Sequence, residues 1–366
     1  MHVLVTGGAG FIGSRVAGAL LAAGHRVRVL DALLPELHFA APRLPEGVEF
    51  VHADLRDEDA VRRALRGVDA VSHHAAMVGR GREILDARRY ADCNDLATAT
   101  LLVGMVEAGV ERLSYAGSVV VYGEGRYRCP EHGLVRPRRR TVPDLDAGRF
   151  EPRCTECERE LAAEAIEEDD PLAPAYNIYA VTKLAQENLV AAWATDTGGS
   201  ASALRYHSVY GAGMLGSSYT GVAGTFHHAV VEGRPPRVFE DGLPRRDFVH
   251  VADVAEANVA ALQRGVPGFR AYNVGSGTPH TILDVARALA AAAGGPPPVV
   301  TGEYRVADVR HVFASPARIM SELGWRPRVG LEAGLREFAA DRMRGGVTPG
   351  YRLERRQTNA TKKRVV

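Results

Sequence analysis

The sequence predicts an α/β chain: a doubly wound parallel sheet covered on both faces, a smaller C-terminal α/β unit, and a cysteine- and histidine-bearing insertion. Three observations predict it. Over the first 123 residues short apolar runs alternate with helical stretches, the pattern of repeated βαβ units. A glycine-rich turn joins the first run to the first helix. From 124 to 175 the rhythm stops, and Arg, Pro, Glu and Cys replace any apolar period.

The elements follow in order. "HVLVTG" (2–7) is an apolar run ending in glycine, and "SRVAGALLAAG" (14–24) has helical periodicity with a glycine stop. "HRVRVLD" (25–31) alternates as a strand, 48–57 supplies a third strand, "DEDAVRRALRG" a helix and 69–76 a fourth strand. A long apolar helix at 96–110 leads into a strand at 112–123. After the interruption come a helix at 179–194 and a strand at 202–211. The pattern then becomes loop-rich up to the helix "VADVAEANVAALQRG", the strand "AYNVGSG" and the helices "TILDVARALAAAAGG" and "SPARIMSELGW". These elements imply one domain over 1–205, carrying an insertion at 125–165, and a second mainly over 206–346, with some segments returning to the first. The polar, basic stretch 347–366 offers nothing to pack and is expected to be disordered.

Composition narrows the function classes. Of 366 residues, 46% are hydrophobic and 24% charged, with a formal net charge of +1. No global field favours nucleic acid or a membrane surface, and no apolar run of the length a bilayer needs is present. The basic clusters "RPRRR" (136–140) and "KKRVV" read as a solvated loop and a frayed end rather than binding arms. The chain enters a strand at once, leaving no room for a signal peptide. Four cysteines argue for a reducing compartment rather than a disulfide scaffold. Cytoplasmic placement is the expectation.

"VLVTGGAGFIGS" sets Gly7, Gly10 and Gly13 between a strand and a helix. Glycine there lets the backbone turn tightly and approach a pyrophosphate, while the helix N-terminus offers N–H groups to the anion. Asp31 ends the next strand, eighteen residues beyond Gly13. A carboxylate there can hold an adenosine ribose 2′-hydroxyl and repels a 2′-phosphate, favouring NAD over NADP. Asp54, ending the third strand, is an adenine-contact candidate. The sheet is therefore expected to be of the Rossmann type.

With its glycines three apart, TGGAGFIG resembles the extended short-chain dehydrogenase/reductase family, whose members act on nucleotide sugars with NAD that stays bound through turnover. The cofactor set that goes with this resemblance adds Phe11, Ile12, Leu55, Ala75, Ala76, Asn94, Tyr179 and Lys183. In "NIYAVTK", Tyr179 and Lys183 lie four residues apart, on one helix face. The ammonium is expected to lower the phenol's pKa and make it a general base for a sugar hydroxyl. Ser118 in "AGSVVVYG" matches the family's third catalytic position. Relatives that dehydrate carry an Asp-Glu pair just after it, where this chain has Val119 and Val120, so dehydration is disfavoured.

By the same resemblance, Arg246 in "RRDFVHVADVAEA" and Arg305 in "YRVADVRH" would bind the substrate's diphosphate; a guanidinium pairs bidentately with phosphate oxygens. Two departures stand out. His207 and Ser208 replace a common Phe-Asn pair, which leaves fewer hydrogen bonds for phosphate at Ser208. Arg82 and Glu83 stand where relatives often carry a small polar residue facing the sugar, which reads equally as an unusual hexose or a loop tip.

The insertion contains Cys129-Pro-Glu-His132 and Cys154-Thr-Glu-Cys157, two ligand pairs with the spacing of a tetrahedral zinc knuckle. Having almost no apolar residues to pack, it needs another source of order, and metal binding supplies folding free energy. The alternative is surface cysteines in a flexible loop, against which stand three of the four cysteines falling within 29 residues. Cys93 reads as a small buried residue. "GEGRYRC" followed by a C-x2-C pair resembles bacterial dTDP-L-rhamnose 4-epimerases and their homologues. That implies a homodimeric 4-epimerase of a nucleotide-activated 6-deoxyhexose; because the insertion lies between Ser118 and Tyr179, it is expected to help cover the sugar pocket. The rival expectations are a net 4-dehydrogenase or ketoreductase, a UDP-hexose 4-epimerase, and a catalytically silent sugar-nucleotide-binding regulator.

Overall fold

The computed structural model describes residues 1–341 apart from 36–37, 39–41, 43, 80–83, 173–176 and 215–220. The expectations for Arg82, Glu83 and the 347–366 tail lie outside the described residues. Seven strands form the central sheet: β1 (His2–Thr6), β2 (Arg26–Asp31), β3 (Glu49–His52), β4 (Ala70–His73), β5 (Arg112–Ser118), β6 (Ser200–Tyr206) and β7 (Gly268–Val274). Their order is β7-β6-β5-β4-β1-β2-β3, and every pairing is parallel. β7 comes from the C-terminal part of the chain, so that part does return to the first sheet.

Apolar strands buried on both faces demand helices on both faces. On one face, helix Phe11–Ala22 packs with Val251–Arg264, bringing Val16, Ala17 and Leu20 against Val259 and Leu262. On the other, Ala97–Ala108 and Ile178–Thr197 bring Leu101, Met105, Val190 and Trp193 onto β4 and β5. Each fully buried Leu or Met contributes about 1.5–3 kcal/mol. A smaller unit lies beyond the C-terminal strand ends. There Ser208–Tyr210 pairs parallel to Arg245–His250, which pairs antiparallel to Pro279–Thr281.

Local chemistry redraws several expected boundaries. The strand expected over 112–123 stops at Ser118, whose hydroxyl accepts the Val120 N–H at 3.4 Å and starts a 3-10 turn over Val119–Tyr122. The strand expected over 202–211 breaks at His207, whose N–H still donates to Val274 O (3.0 Å) while Ser208–Tyr210 joins the other sheet. Helix Val222–Val231 occupies a stretch expected to be loop.

The insertion is better ordered than its composition implied. Arg126–Cys129 pairs antiparallel with both Gly133–Val135 and Ala162–Glu164, over a small core of Tyr127, Cys129, Cys154 and Leu161. Charge does the rest. Arg310, fully buried, donates to Glu151 (2.6 and 3.0 Å), Glu240 (2.8 Å) and Asp241 (2.7 Å). Arg140 donates to Glu240 at 2.8 Å. Burial costs a guanidinium its hydration, and these carboxylates replace it; removing one partner strands the others. Arg310→Ala is expected to cost about 3–5 kcal/mol, read as a lower denaturant midpoint at unchanged slope.

Candidate active site

The sheet order reverses between β1 and β4, which splays the loops after their C-terminal ends and opens a crevice there. Gly7 takes φ +64°, and a Cβ on it would lie 2.6 Å from Ala75 N; one on Gly13 would lie 2.3 Å from Gly7 O. A Cβ on Gly10 would meet only Gly7 O, at 3.1 Å, the rest of its surroundings being open. Two glycines thus close the turn and the third leaves a face for a ligand. Asp31 accepts from Ala9 N at 3.0 Å and Leu33 N at 2.9 Å, bringing its carboxylate to the rim of the turn. Asp54 is held by Arg56 through two side-chain bonds of 2.7 and 3.0 Å, which keep it below the usual carboxylate range. Leu55 is buried behind it, and Ala75 and Ala76 follow β4. Asn94 accepts from Met77 N (2.6 Å) and donates to Met77 O and Thr182 Oγ1 (3.1 and 2.9 Å), stapling that loop to helix Ile178–Thr197. These residues fit a dinucleotide lying across the strand ends, pyrophosphate at the glycine turn and adenosine beside Asp31.

Asn177 caps helix Ile178–Thr197, its side chain accepting from Ala180 N at 2.9 Å. That places Tyr179 in the first turn, facing Ser118 at the end of β5. A cleft of about 230 Å³ is lined by Ile12, Ser118, Tyr179, Tyr206, Ser208 and Phe248, among others. So the glycine-turn helix, the Ser–Tyr pair and the second unit meet in one cavity. Burial raises the Tyr179 pKa, and the hydrogen bond with Ser118 opposes that rise. This corrects the expected direction, for which Lys183 was to lower the phenol. Lys183 Nζ is turned to Ala116 O (2.8 Å) and Gln186 Oε1 (3.1 Å), and burial pulls its own pKa down to about 7 against Glu187 and Asp95.

Residues 3–140 and 155–275 match the model of the NAD dependent epimerase/dehydratase family. The chain belongs to this family. It is 36% identical to a dTDP-L-rhamnose 4-epimerase of Burkholderia thailandensis, over 92% of this chain and 93% of that protein. It is 30% identical to a UDP-glucose 4-epimerase of Bacillus subtilis, over 94% and 96%. Among solved structures, Thermus thermophilus UDP-glucose 4-epimerase in complex with NAD superimposes with a TM-score of 0.73 at 33% identity, covering 93% of this chain and 98% of that one.

Of the remaining substrate-binding candidates, Ser208 is among the residues lining the cleft, and Arg246 and Arg305 are not. Arg246 donates from Nη1 to Arg245 O and Arg310 O (both 2.8 Å) and from Nη2 to Val309 O (2.6 Å). Arg305 lies over the Phe239 ring, 4.8 Å from its centroid, with Asp308 at 3.9 Å. Sequence reasoning missed Tyr206, the last residue of β6, and Phe248, within the strand Arg245–His250, both of which line the cleft. It also missed the buried ion pair Arg205–Glu187, in which Arg205 further donates to Tyr122 Oη (2.6 Å) and Glu168 O (2.9 Å). An arginine inside an apolar strand pattern was the available signal.

The insertion brings Cys129, His132, Cys154 and Cys157 together, their ligand atoms within 4.8 Å of one another. Cys129 Sγ lies 3.6 Å from Cys157 Sγ and 3.5 Å from His132 Nδ1, which is 3.5 Å from Cys154 Sγ. The cysteines are not disulfide-bonded. A tetrahedral zinc, with bonds of about 2.3 Å to sulfur and 2.0–2.1 Å to nitrogen, separates its ligands by about 3.8 Å (S···S) and 3.5 Å (S···N). The cluster fits a closed four-ligand centre.

The Lys183 shift yields a pH prediction. The folded group releases its proton near 7 and the unfolded one near its ordinary 10.5. Between those values the unfolded chain binds more protons, so the group's contribution to stability rises with pH. Lys183→Met is therefore expected to raise the melting temperature of cofactor-free protein most below about pH 7, the gain shrinking as the pH rises from about 7 towards 10 in a series of thermal melts.

Proposed function

We propose that the protein is an NAD-dependent 4-epimerase of a nucleotide-activated 6-deoxyhexose, dTDP-linked, working through a transient 4-keto sugar. The observation that carries this reading is the shared cleft, in which Ser118 and Tyr179 face the end of the glycine turn. Val119 and Val120 follow Ser118, so no carboxylate stands there to remove water. The 36% identity to a dTDP-L-rhamnose 4-epimerase favours the dTDP-6-deoxyhexose.

NAD, held by Gly7, Gly10, Gly13 and Asp31, supplies reversible hydride acceptance. Tyr179 takes the proton of the C4 hydroxyl and later returns it, and Ser118 hydrogen-bonds the same oxygen. Lys183 rests on Ala116 O and Gln186 Oε1 and would act on the phenolate as it forms, not on the resting phenol. Arg246 and Arg305 hold the diphosphate while the sugar turns to present its other face. In this reading the Cys3His cluster binds one structural zinc, with four protein ligands and no open position. The exposed Val103 and Val106 of helix Ala97–Ala108 and Val181 of the adjoining helix form the face of a homodimer. Free thiols and a soluble cofactor suit the cytoplasm.

Purified protein given dTDP-L-rhamnose or UDP-glucose without added cofactor, followed by mass-resolved chromatography, tests the reading. A new peak of unchanged mass from the dTDP sugar is expected, falling by about 10²–10⁴-fold in rate for Tyr179→Phe. Conversion of UDP-glucose alone assigns the other nucleotide. A product two mass units lighter means a dehydrogenase and overturns epimerisation.

A further inference from the structure

The insertion and Arg246 meet the same three residues of chain. Residues 309–311 run beside the strand Arg245–His250: Val312 N donates to Arg245 O at 3.1 Å, and Arg246 bridges to Val312. Their carbonyls hold the arginine, with Val309 O and Arg310 O accepting from its Nη2 and Nη1. Three donor hydrogens are thereby committed to carbonyls, counting Arg245 O. Nε–H and one Nη2–H have no hydrogen-bond partner among the described residues, and a phosphate can take them.

The insertion grips the other side of that segment. Tyr127 is fully buried two positions before the ligand Cys129, and its hydroxyl accepts from His311 N at 3.1 Å. Glu151 stands three positions before the ligand Cys154. Its Oε1 accepts from Arg310 Nη2 and Nε (2.6 and 3.0 Å), and its Oε2 lies 2.9 Å from His311 Nε2. The other ring nitrogen of His311, Nδ1, accepts from Arg245 N at 3.1 Å, directly before Arg246. Cys129 and Cys154 come from separate parts of the insertion, and a shared metal ion would lock Tyr127 and Glu151 into one spacing.

We propose that Tyr127 and Glu151 are positioning residues for the substrate's diphosphate: they clamp residues 309–311, whose carbonyls aim the Arg246 guanidinium, and the Cys3His centre sets the clamp. The insertion thus acts on the nucleotide end of the pocket. It contributes to affinity for the diphosphate rather than to the proton and hydride chemistry at Ser118 and Tyr179. The proposal rests on the reading of Arg246 as a diphosphate ligand.

Calorimetric titration of the NAD-loaded protein with dTDP and with UDP tests it without needing turnover. Wild type is expected to bind one of them. Glu151→Gln and Tyr127→Phe, which keep shape and volume, are expected to weaken that binding by roughly tenfold each, the value of about one hydrogen bond. Their loss should fall on KM rather than kcat, with NAD and metal content retained. Stripping the metal from wild type with a chelator should weaken nucleotide binding in the same way. Both variants binding as tightly as wild type would overturn the clamp, as would a loss confined to kcat. Wild type binding neither nucleotide would instead overturn the sugar-nucleotide reading, and the clamp with it.

Discussion

Everything in the site depends on two backbone stretches lying almost in contact. Gly7, leaving β1, presses its α-carbon against the backbone at Ala75, leaving β4, with no room for a Cβ between them. That closeness seats the first turn of helix Phe11–Ala22 over the strand ends and brings Ile12 into the cleft with Ser118 and Tyr179. The same crevice runs on to Asp31, one strand further out. Reactive hydroxyls and dinucleotide cradle are therefore two consequences of one strand-order reversal.

The catalytic helix is fixed from several sides at once. Asn94 ties its Thr182 to the loop after β4, and Tyr115 donates to its Lys183 O at 3.1 Å. Glu187 pairs with Arg205 beneath the site. Lys183 belongs to this buried polar set, and burial explains why its proton is loosened. A buried ammonium gains much from an anion beside it, so a developing phenolate on Tyr179 would draw it in. The insertion adds a second anchored layer on the side of Arg246, held to the C-terminal half by the Arg310 and Arg140 ion pairs.

Local signals were legible and non-local ones were not. Glycine spacing, the Tyr179–Lys183 interval and the two cysteine pairs act within a turn or two of backbone, so the sequence displays them directly. β1 and β4 were readable because every residue in them is buried, and β2 because its arginines and valines alternate. What escaped depends on distant partners. Arg310 meets Glu151 and Glu240, 159 and 70 positions away, so an insertion that looked underpacked is held by charge. The direction of the Tyr179 shift is set by burial, which residue spacing does not convey. The break at His207 arises because two sheets compete for one extended segment, and helix Val222–Val231 was hidden by Gly224 and its N-cap Gly221.

In the proposed function, one cleft removes a hydride from C4 of the sugar and returns the same hydride to the opposite face. Turnover of a nucleotide sugar carrying deuterium at C4, in ordinary water, tests this most directly. The account predicts that the epimer keeps its deuterium at C4, with no loss to solvent. Deuterium washed out into water would mean proton abstraction from carbon, and would contradict the assignment of Tyr179 and the bound dinucleotide to a shared redox step.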